Sequence, residues 1–157
     1  MFWILVISII LSMLPVLELR VGLPYAVAQG INPFLAFFVS VTANIIVVFL
    51  IFFFLDFLHK KFLKISLYRK FFNFYIDKTR KKVDKFEKSY STYGFLALTI
   101  FTAIPLPATG AWTGCLISWL LGLDRKKSIF SIALGVLIAG IIVLSASLGI
   151  ISLVRLF

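Results

Sequence analysis

The sequence predicts an all-α polytopic membrane protein made of two inverted repeats, each a re-entrant broken-helix hairpin followed by one transmembrane helix, joined by a basic amphipathic surface helix. Three observations carry this reading. The first is composition: 62% of the 157 residues are apolar and 14% charged, whereas soluble domains are about half apolar and roughly a quarter charged. The second is that two of four apolar stretches are interrupted, at Glu18 to Pro24 and at Pro105 to Gly114. The third is that eleven of the sixteen basic residues lie between Lys60 and Lys88, and three more are Arg125, Lys126 and Lys127.

The elements follow in order within a single membrane domain spanning 1–157. Residues 2–30 form the first hairpin, with an apolar arm to Leu17, a break at Glu18–Pro24 and a return arm ending at Gly30. Residues 2–17 lack a positively charged start and run directly into Glu18 and Arg20, so they are expected to be retained rather than cleaved as a leader. Residues 34–58 are long enough to cross a hydrocarbon core of about 30 Å as a helix. Residues 59–92 read as a surface segment: Val83, Phe86 and Tyr90 share one helical face, with Lys81, Lys82, Lys85 and Lys88 turned to water. Residues 94–122 contain Pro105 and Pro107, and proline removes a backbone donor and clashes with the preceding turn, so an unbroken helix is not expected there. Residues 128–154 form the last span.

Charge distribution selects the hairpin model. Four full crossings would place the 59–92 loop and Arg125–Lys127 on opposite faces, against the tendency of basic loops to stay cytoplasmic. A hairpin over 94–122 puts both basic segments on the cytoplasmic side of a cell membrane, with both termini outside.

The net charge of +10 does not indicate nucleic acid, because the basic residues cluster beside a span and among aromatics, where they attract anionic lipid headgroups. Cys115 stands alone in an apolar stretch and reads as a small buried hydrophobe. His59 reads as interfacial. No cofactor or metal site is expected, and no nucleophile–base pair or nucleotide loop suggests an enzyme. The expected partners are membrane lipids, and a homodimer is compatible with the sequence.

The candidate site residues come from the two breaks. Ionisable groups at membrane depth cost about 2.5–3.5 kcal/mol on insertion scales and usually line a cavity or pair, which singles out Glu18 and Arg20, flanked by Gly22 and Pro24. In the second break, Pro105, Pro107, Thr109, Gly110, Trp112 and Thr113 leave backbone uncommitted to a helix. A half-helix starting near Ala111, capped by the Thr109 hydroxyl, would offer free N–H groups to an anion, and Arg20 would add a bidentate partner. Thr42 and Asn44 could line a path or join packed helices, with Asn32 at the start of their stretch, and Asp56 is expected to pair with Lys60.

The segments Glu18-Leu-Arg-Val-Gly-Leu-Pro24 and Ile104-Pro-Leu-Pro-Ala-Thr-Gly-Ala-Trp-Thr-Gly114 resemble the signatures of the putative small multidrug export proteins, in order and spacing over nearly the whole chain. Arg20-Val21-Gly22 and Ala108 depart from the residues common in that family at those places. The family is distantly similar to the DedA and VTT membrane proteins, which carry re-entrant hairpins and include translocases of polyprenyl phosphate and phospholipid scramblases. The resemblance implies that Glu18 and Arg20 correspond to the acidic and basic hairpin residues, and Pro105–Gly114 to the opposing hairpin. The leading expectation is a transporter of a lipid with an anionic headgroup, in which Glu18 could supply proton coupling. The alternatives are a proton-coupled multidrug exporter and a non-transporting membrane scaffold.

Overall fold

A computed structural model describes residues 1–58, 94–106 and 109–154, together with positions 66, 70, 73 and 74. The expected surface helix over 59–92, including His59, therefore lies outside the described residues but for those four positions, and Pro107 lies outside them as well. The described chain is helical: α1 (Phe2–Met13), α2 (Glu18–Ala28), α3 (Pro33–Phe53), α4 (Phe95–Ala103), α5 (Ala111–Leu120) and α6 (Arg125–Val154). A π-helical turn at Phe54–Leu58 continues α3.

Length divides the helices into two kinds. Apolar helix runs for 25 residues over Pro33–Phe57 and for 26 over Arg125–Ile150, roughly 38 Å each at 1.5 Å per residue, enough to cross a bilayer. The others have 12, 11, 9 and 10 residues, roughly 14–18 Å, about half that thickness. Phe2, Trp3, Phe34, Phe38, Phe49 and Phe130 are exposed. Apolar side chains of that size, spread over the outside of the molecule, suit hydrocarbon rather than water, and the chain is a membrane protein.

Side-chain contacts set the relative directions. Ser8 of α1 meets Ser40 of α3, and the Asn44 amide of α3 donates to the Ser12 carbonyl of α1, so α1 and α3 advance together and run the same way. The Thr99 hydroxyl of α4 meets the Ser131 carbonyl of α6, and Gly135 of α6 lies against Thr99 and Thr102. Those two also run together. Between the long helices the order reverses: Gly140 of α6 packs on Phe37 and Val41 of α3, while Arg125 at the start of α6 pairs with Asp56 at the end of α3 and lies over the Phe52 ring, 5.7 Å from its centroid.

The expected partner of Asp56, Lys60, lies outside the described residues; among the described ones α6 delivers the Arg125 guanidinium directly to the end of α3. This pairing also brings the start of α6 and the end of α3 to one end of the molecule. The last helix begins at Arg125 rather than at 128, because the Asp124 carboxylate accepts the Lys127 amide at 2.8 Å and caps the first turn.

The corners before the two long helices are built alike. After α2, Gly30 has a φ of +82°, its amide reaches the Val27 carbonyl and the Ile31 amide reaches the Ala26 carbonyl. After α5, Gly122 has a φ of +62°, its amide reaches Trp119 and the Leu123 amide reaches Ser118. Both are Schellman caps, which need a left-handed residue that glycine adopts without strain. Two residues after each glycine stands an Asx cap: Asn32 Oδ1 accepts the Phe34 and Leu35 amides, as Asp124 does for α6. Gly22 and Gly114, eight residues before the corner glycines in both cases, are each pressed against the preceding half-helix.

The first break lies earlier than expected. Helix α2 begins at Glu18 and contains Gly22 and Pro24, while the turn occupies Leu14 to Leu17. Proline inside a helix costs one hydrogen bond, which neighbouring helices in a membrane protein accommodate. Pro15 and the positive φ of Val16, +75°, make the actual interruption. A β-branched residue in that region is strained and has to be held there by its surroundings.

A Cβ added at Gly22 would stand 2.6 Å from the Ser8 carbonyl oxygen and 2.9 Å from the Ser12 amide, both backbone atoms, whereas one at Gly149 would meet nothing within 4 Å. Gly22→Ala is therefore expected to destabilise the protein by about 1–3 kcal/mol. Gly149→Ala should leave the melting temperature in detergent unchanged or slightly raised. Equal melting temperatures for Gly22→Ala and wild type would contradict the tight α1–α2 crossing.

Candidate functional site

The site forms where the four half-helices end against one another. Helices α1 and α4 arrive at their C-termini and α2 and α5 depart at their N-termini. A helix presents partial positive charge at its N-terminus and partial negative charge at its C-terminus, through N–H and C=O groups that lack intrahelical partners. Two breaks close together thus create both kinds of unmet backbone group at one place.

Glu18 answers the positive ends. It is the first residue of α2, with a φ of +52°, and it is buried, at 5% exposure. Its Oε1 accepts the Trp112 amide of α5 at 3.1 Å, so one carboxylate serves the opening turns of both departing helices. Gly110, the N-cap of α5, makes no side-chain cap of its own. A Cβ there would lie 2.7 Å from Glu18 Cδ and 2.8 Å from Oε1. Glycine at position 110 is what lets the carboxylate reach the helix end.

Arg20 answers the negative end. Its guanidinium donates through Nη1 to the Leu106 carbonyl and through Nη2 to the Ile104 carbonyl, the latter at 3.0 Å, just past the last turn of α4. Nη2 also reaches Thr109 Oγ1 at 3.3 Å. The planar fork spans several acceptors at once, which a lysine ammonium on its single point cannot do in the same way. Glu18 and Arg20 make no contact ion pair with each other; among the described residues, that contact belongs to Asp56 and Arg125.

Of the expected site residues, Glu18, Arg20, Thr109, Gly110 and Trp112 come together. Thr109 does not cap α5: its hydroxyl turns back to the Ile104 and Leu106 carbonyls, at 2.7 and 2.8 Å, because Glu18 already occupies the amide end. Trp112 contributes twice, through its amide to Glu18 and through Nε1 to the Met13 carbonyl at 3.1 Å. It thereby ties α5 to the end of α1. Pro105 is exposed in the second break between Ile104 and Leu106, and Thr113 is buried one residue beyond Trp112. Gly22 and Pro24 lie within α2, where Gly22 serves helix packing.

Other residues emerge only from the structure. Ser8, Ser12 and Ser40 are fully buried beside Asn44. The Ser8 hydroxyl donates to the Gly22 carbonyl at 2.8 Å and lies 3.2 Å from Ser40 Oγ. In sequence these are single serines in apolar runs, and only the seven-residue depth shared by Ser8 after Met1 and Ser40 after Pro33 hints that they meet. Thr42 is exposed on the opposite side of α3, and Asn32 acts as a cap. Cys115 is a buried free thiol, as expected for a small hydrophobe.

Comparison with known families places the chain. A family model described as "Putative small multi-drug export protein" matches residues 18–142. The chain belongs to that family. The matched range opens on Glu18 and takes in α3 and the first part of α6, so the charged pair and the backbone groups it meets fall inside it. Neither the comparison with curated proteins nor that with solved structures returned a match.

Because Glu18 caps α5 only through space left by Gly110, the two residues should act as one unit. Glu18→Ala is expected to cost about 0.5–2 kcal/mol, the range for losing a helix cap, and Gly110→Ala should cost at least as much by displacing the carboxylate. The double variant should lose clearly less than the two losses combined. Chemical or thermal unfolding in detergent checks this, and strictly additive losses would count against the Glu18–α5 contact.

Proposed function

We propose that this family member is a membrane transporter that moves an amphiphile with an anionic headgroup, a polyprenyl phosphate or a phospholipid, across the bilayer. The observation that carries the reading is the Glu18 carboxylate seated on the amide end of α5 beside Arg20. An internal carboxylate held on backbone N–H groups occupies the kind of position that a phosphate oxygen takes at a helix N-terminus. A headgroup that displaced Glu18 from the Trp112 amide would find the α5 dipole and the Arg20 guanidinium ready to receive it. Neutralisation of the displaced Glu18 by a proton would avoid leaving an unpaired carboxylate in low dielectric, which couples headgroup entry to proton uptake.

The architecture supports transport. Half-length helices that reach mid-depth and return to the face they left are re-entrant hairpins, and the contact of Asp56 with Arg125 supports the same assignment for α4 and α5. The opposite directions of α3 and α6, with matching glycine and Asx corners, support two inverted repeats, a recurrent transporter design in which broken helices meet near the midplane. Positive charge at Arg125–Lys127 and in the 59–92 sequence supports a cytoplasmic assignment for that end, and in this reading both termini are outside. The basic segment then lies where it can hold anionic lipid. The likeness to DedA and VTT proteins belongs to this reading and rests on the two sequence signatures.

Reconstitution tests it. Liposomes carrying the protein should move a labelled polyprenyl phosphate or phospholipid between leaflets faster than empty vesicles, and Arg20→Ala should reduce that rate at least tenfold. Movement no faster than in empty vesicles, with Arg20→Ala without effect, would sink the lipid reading. The family description favours a second reading, proton-coupled export of amphipathic drugs. That reading predicts raised drug tolerance on overexpression, abolished by an uncoupler and by Glu18→Gln, and unchanged tolerance would eliminate it.

For the topology, single cysteines in a Cys115→Ala background give the answer. Positions 56 and 125 should react with an impermeant thiol reagent from the cytoplasmic side and position 30 from the outside. Reaction of positions 56 and 125 from opposite sides would overturn the hairpin arrangement.

A further inference from the structure

The seam between α1, α2 and α3 holds polar side chains that the site described above does not use. Ser8, Ser12 and Ser40 are 0% exposed and Asn44 is 1% exposed, in a part of the molecule otherwise packed with aliphatic side chains. Part of their hydrogen bonding is met. The Ser8 hydroxyl donates to the Gly22 carbonyl, so its contact with Ser40 is one in which Ser40 donates. The Asn44 amide donates to the Ser12 carbonyl at 3.1 Å.

Two polar atoms are left over: Ser12 Oγ and Asn44 Oδ1, both buried and without a hydrogen-bond partner among the protein groups. Buried hydroxyl and amide oxygens without partners are uncommon and costly, about 1–3 kcal/mol each. The usual remedy is internal water held by two to four polar groups. Tight helix packing alone does not explain them, because a hydroxyl that glues helices together makes a bond across the seam, as Ser8 does, and Ser12 makes none.

The position of this pair connects it to Glu18. Ser12 Oγ is pressed against the α-carbon of Gly22, and Gly22 follows Glu18 by four residues on α2, so the two share one face about one turn, roughly 5.4 Å, apart. Met13, next to Ser12, accepts the indole N–H of the same Trp112 whose amide holds Glu18. Ser8 and Ser40 extend the polar line by one further turn toward the end at which α1 and α3 begin. Among the described residues, Arg20 on α2 and Cys115 on α5 are the ionisable groups near enough to feel the Glu18 charge; α1 and α3 bring it none.

We propose that Ser12 and Asn44, with Ser8 and Ser40 one turn beyond, hold internal water that relays protons between Glu18 and the face at which α1 and α3 begin. The relay rests on the reading that Glu18 takes up and gives back a proton. A proton leaves a water molecule for the Glu18 carboxylate as the next water in the line supplies its replacement, so charge and hydrogen balance at every step. Half-buried Ile4 and Leu5 stand between Ser8 and the helix start, so passage of a proton to that face requires water to pass these two side chains.

Infrared difference spectroscopy of the reconstituted protein in D2O tests this, with Glu18→Gln used to assign the Glu18 carboxyl band. In wild type the band should appear as pH is lowered and shift on transfer to D2O. Ser12→Ala and Asn44→Leu should slow that isotope exchange at least tenfold, while Ser12→Thr, which keeps the hydroxyl, and Thr42→Val, on the exposed side of α3, should leave it near the wild-type rate. Ser12→Ala removes no protein hydrogen bond, so a purely structural role predicts normal folding and normal exchange; that result overturns the relay while leaving Glu18 protonation intact. If no band is lost in Glu18→Gln at any pH, the proton-coupled reading fails and the relay fails with it. Circular dichroism and gel filtration confirm the fold of each variant, and if Asn44→Leu does not fold, Ser12→Ala alone decides.

Discussion

The structure depends on a complementarity between charge and backbone. Interrupting a helix inside a membrane exposes amide and carbonyl groups that water cannot reach, and each unmet group costs several kcal/mol. Here the second break exposes both kinds, carbonyls after Ala103 and amides from Ala111 onward, and the first break supplies one side chain for each. Arg20 takes the carbonyls of Ile104 and Leu106, and Glu18 takes the amide of Trp112. The charged residues in turn acquire partners, which the buried Glu18 requires most. Neither break is stable by the same means without the other, which is why helices of 9 to 12 residues hold together at all.

That arrangement also determines what the site can do. A clasp made only of apolar contact would have no reason to open. This one is built from a carboxylate on a helix end and a guanidinium on carbonyls, interactions for which a phosphate or carboxylate of a ligand is a chemical substitute. The strained backbone at Val16 and Glu18 sits at the hinge between α1 and α2, where a change in the seat of Glu18 is most directly felt.

Much of this was legible in the sequence, for identifiable reasons. The long spans follow from apolar length, and the half-helix over 111–120 follows from Pro105 and Pro107 upstream and Gly122 downstream. Glu18 and Arg20 stand out because ionisable residues are rare in such a chain. The direction of their partnership was not legible: sequence reading reserved the α5 amides for a ligand and gave the cap to Thr109, because nothing local shows that Glu18 reaches across to Gly110. The first break, expected over Glu18–Pro24, lies instead at Leu14 to Leu17, because α2 accommodates Pro24 and nothing local shows that Val16 takes a left-handed conformation. That Asp56 meets Arg125, 69 residues on, is a tertiary contact that spacing does not reveal. One signal does stand in the sequence: Gly22, Gly30 and Asn32 repeat with the same spacing as Gly114, Gly122 and Asp124. It is the corners, not the apolar residues, that keep the likeness between the halves.

The matched corners have a consequence for how the two halves divide their labour. With the frames superposed by those glycines, the place that Glu18 holds in one half is held by Gly110 in the other, and the two are in contact. One half contributes the projecting acid and the other the hollow that admits it. A symmetric pair of acids there would repel, and a symmetric pair of glycines would leave both helix ends bare. The asymmetry makes the two breaks a plug and a socket: the acid of the first is seated in the space that glycine leaves in the second, so a side chain at position 110 would unseat it.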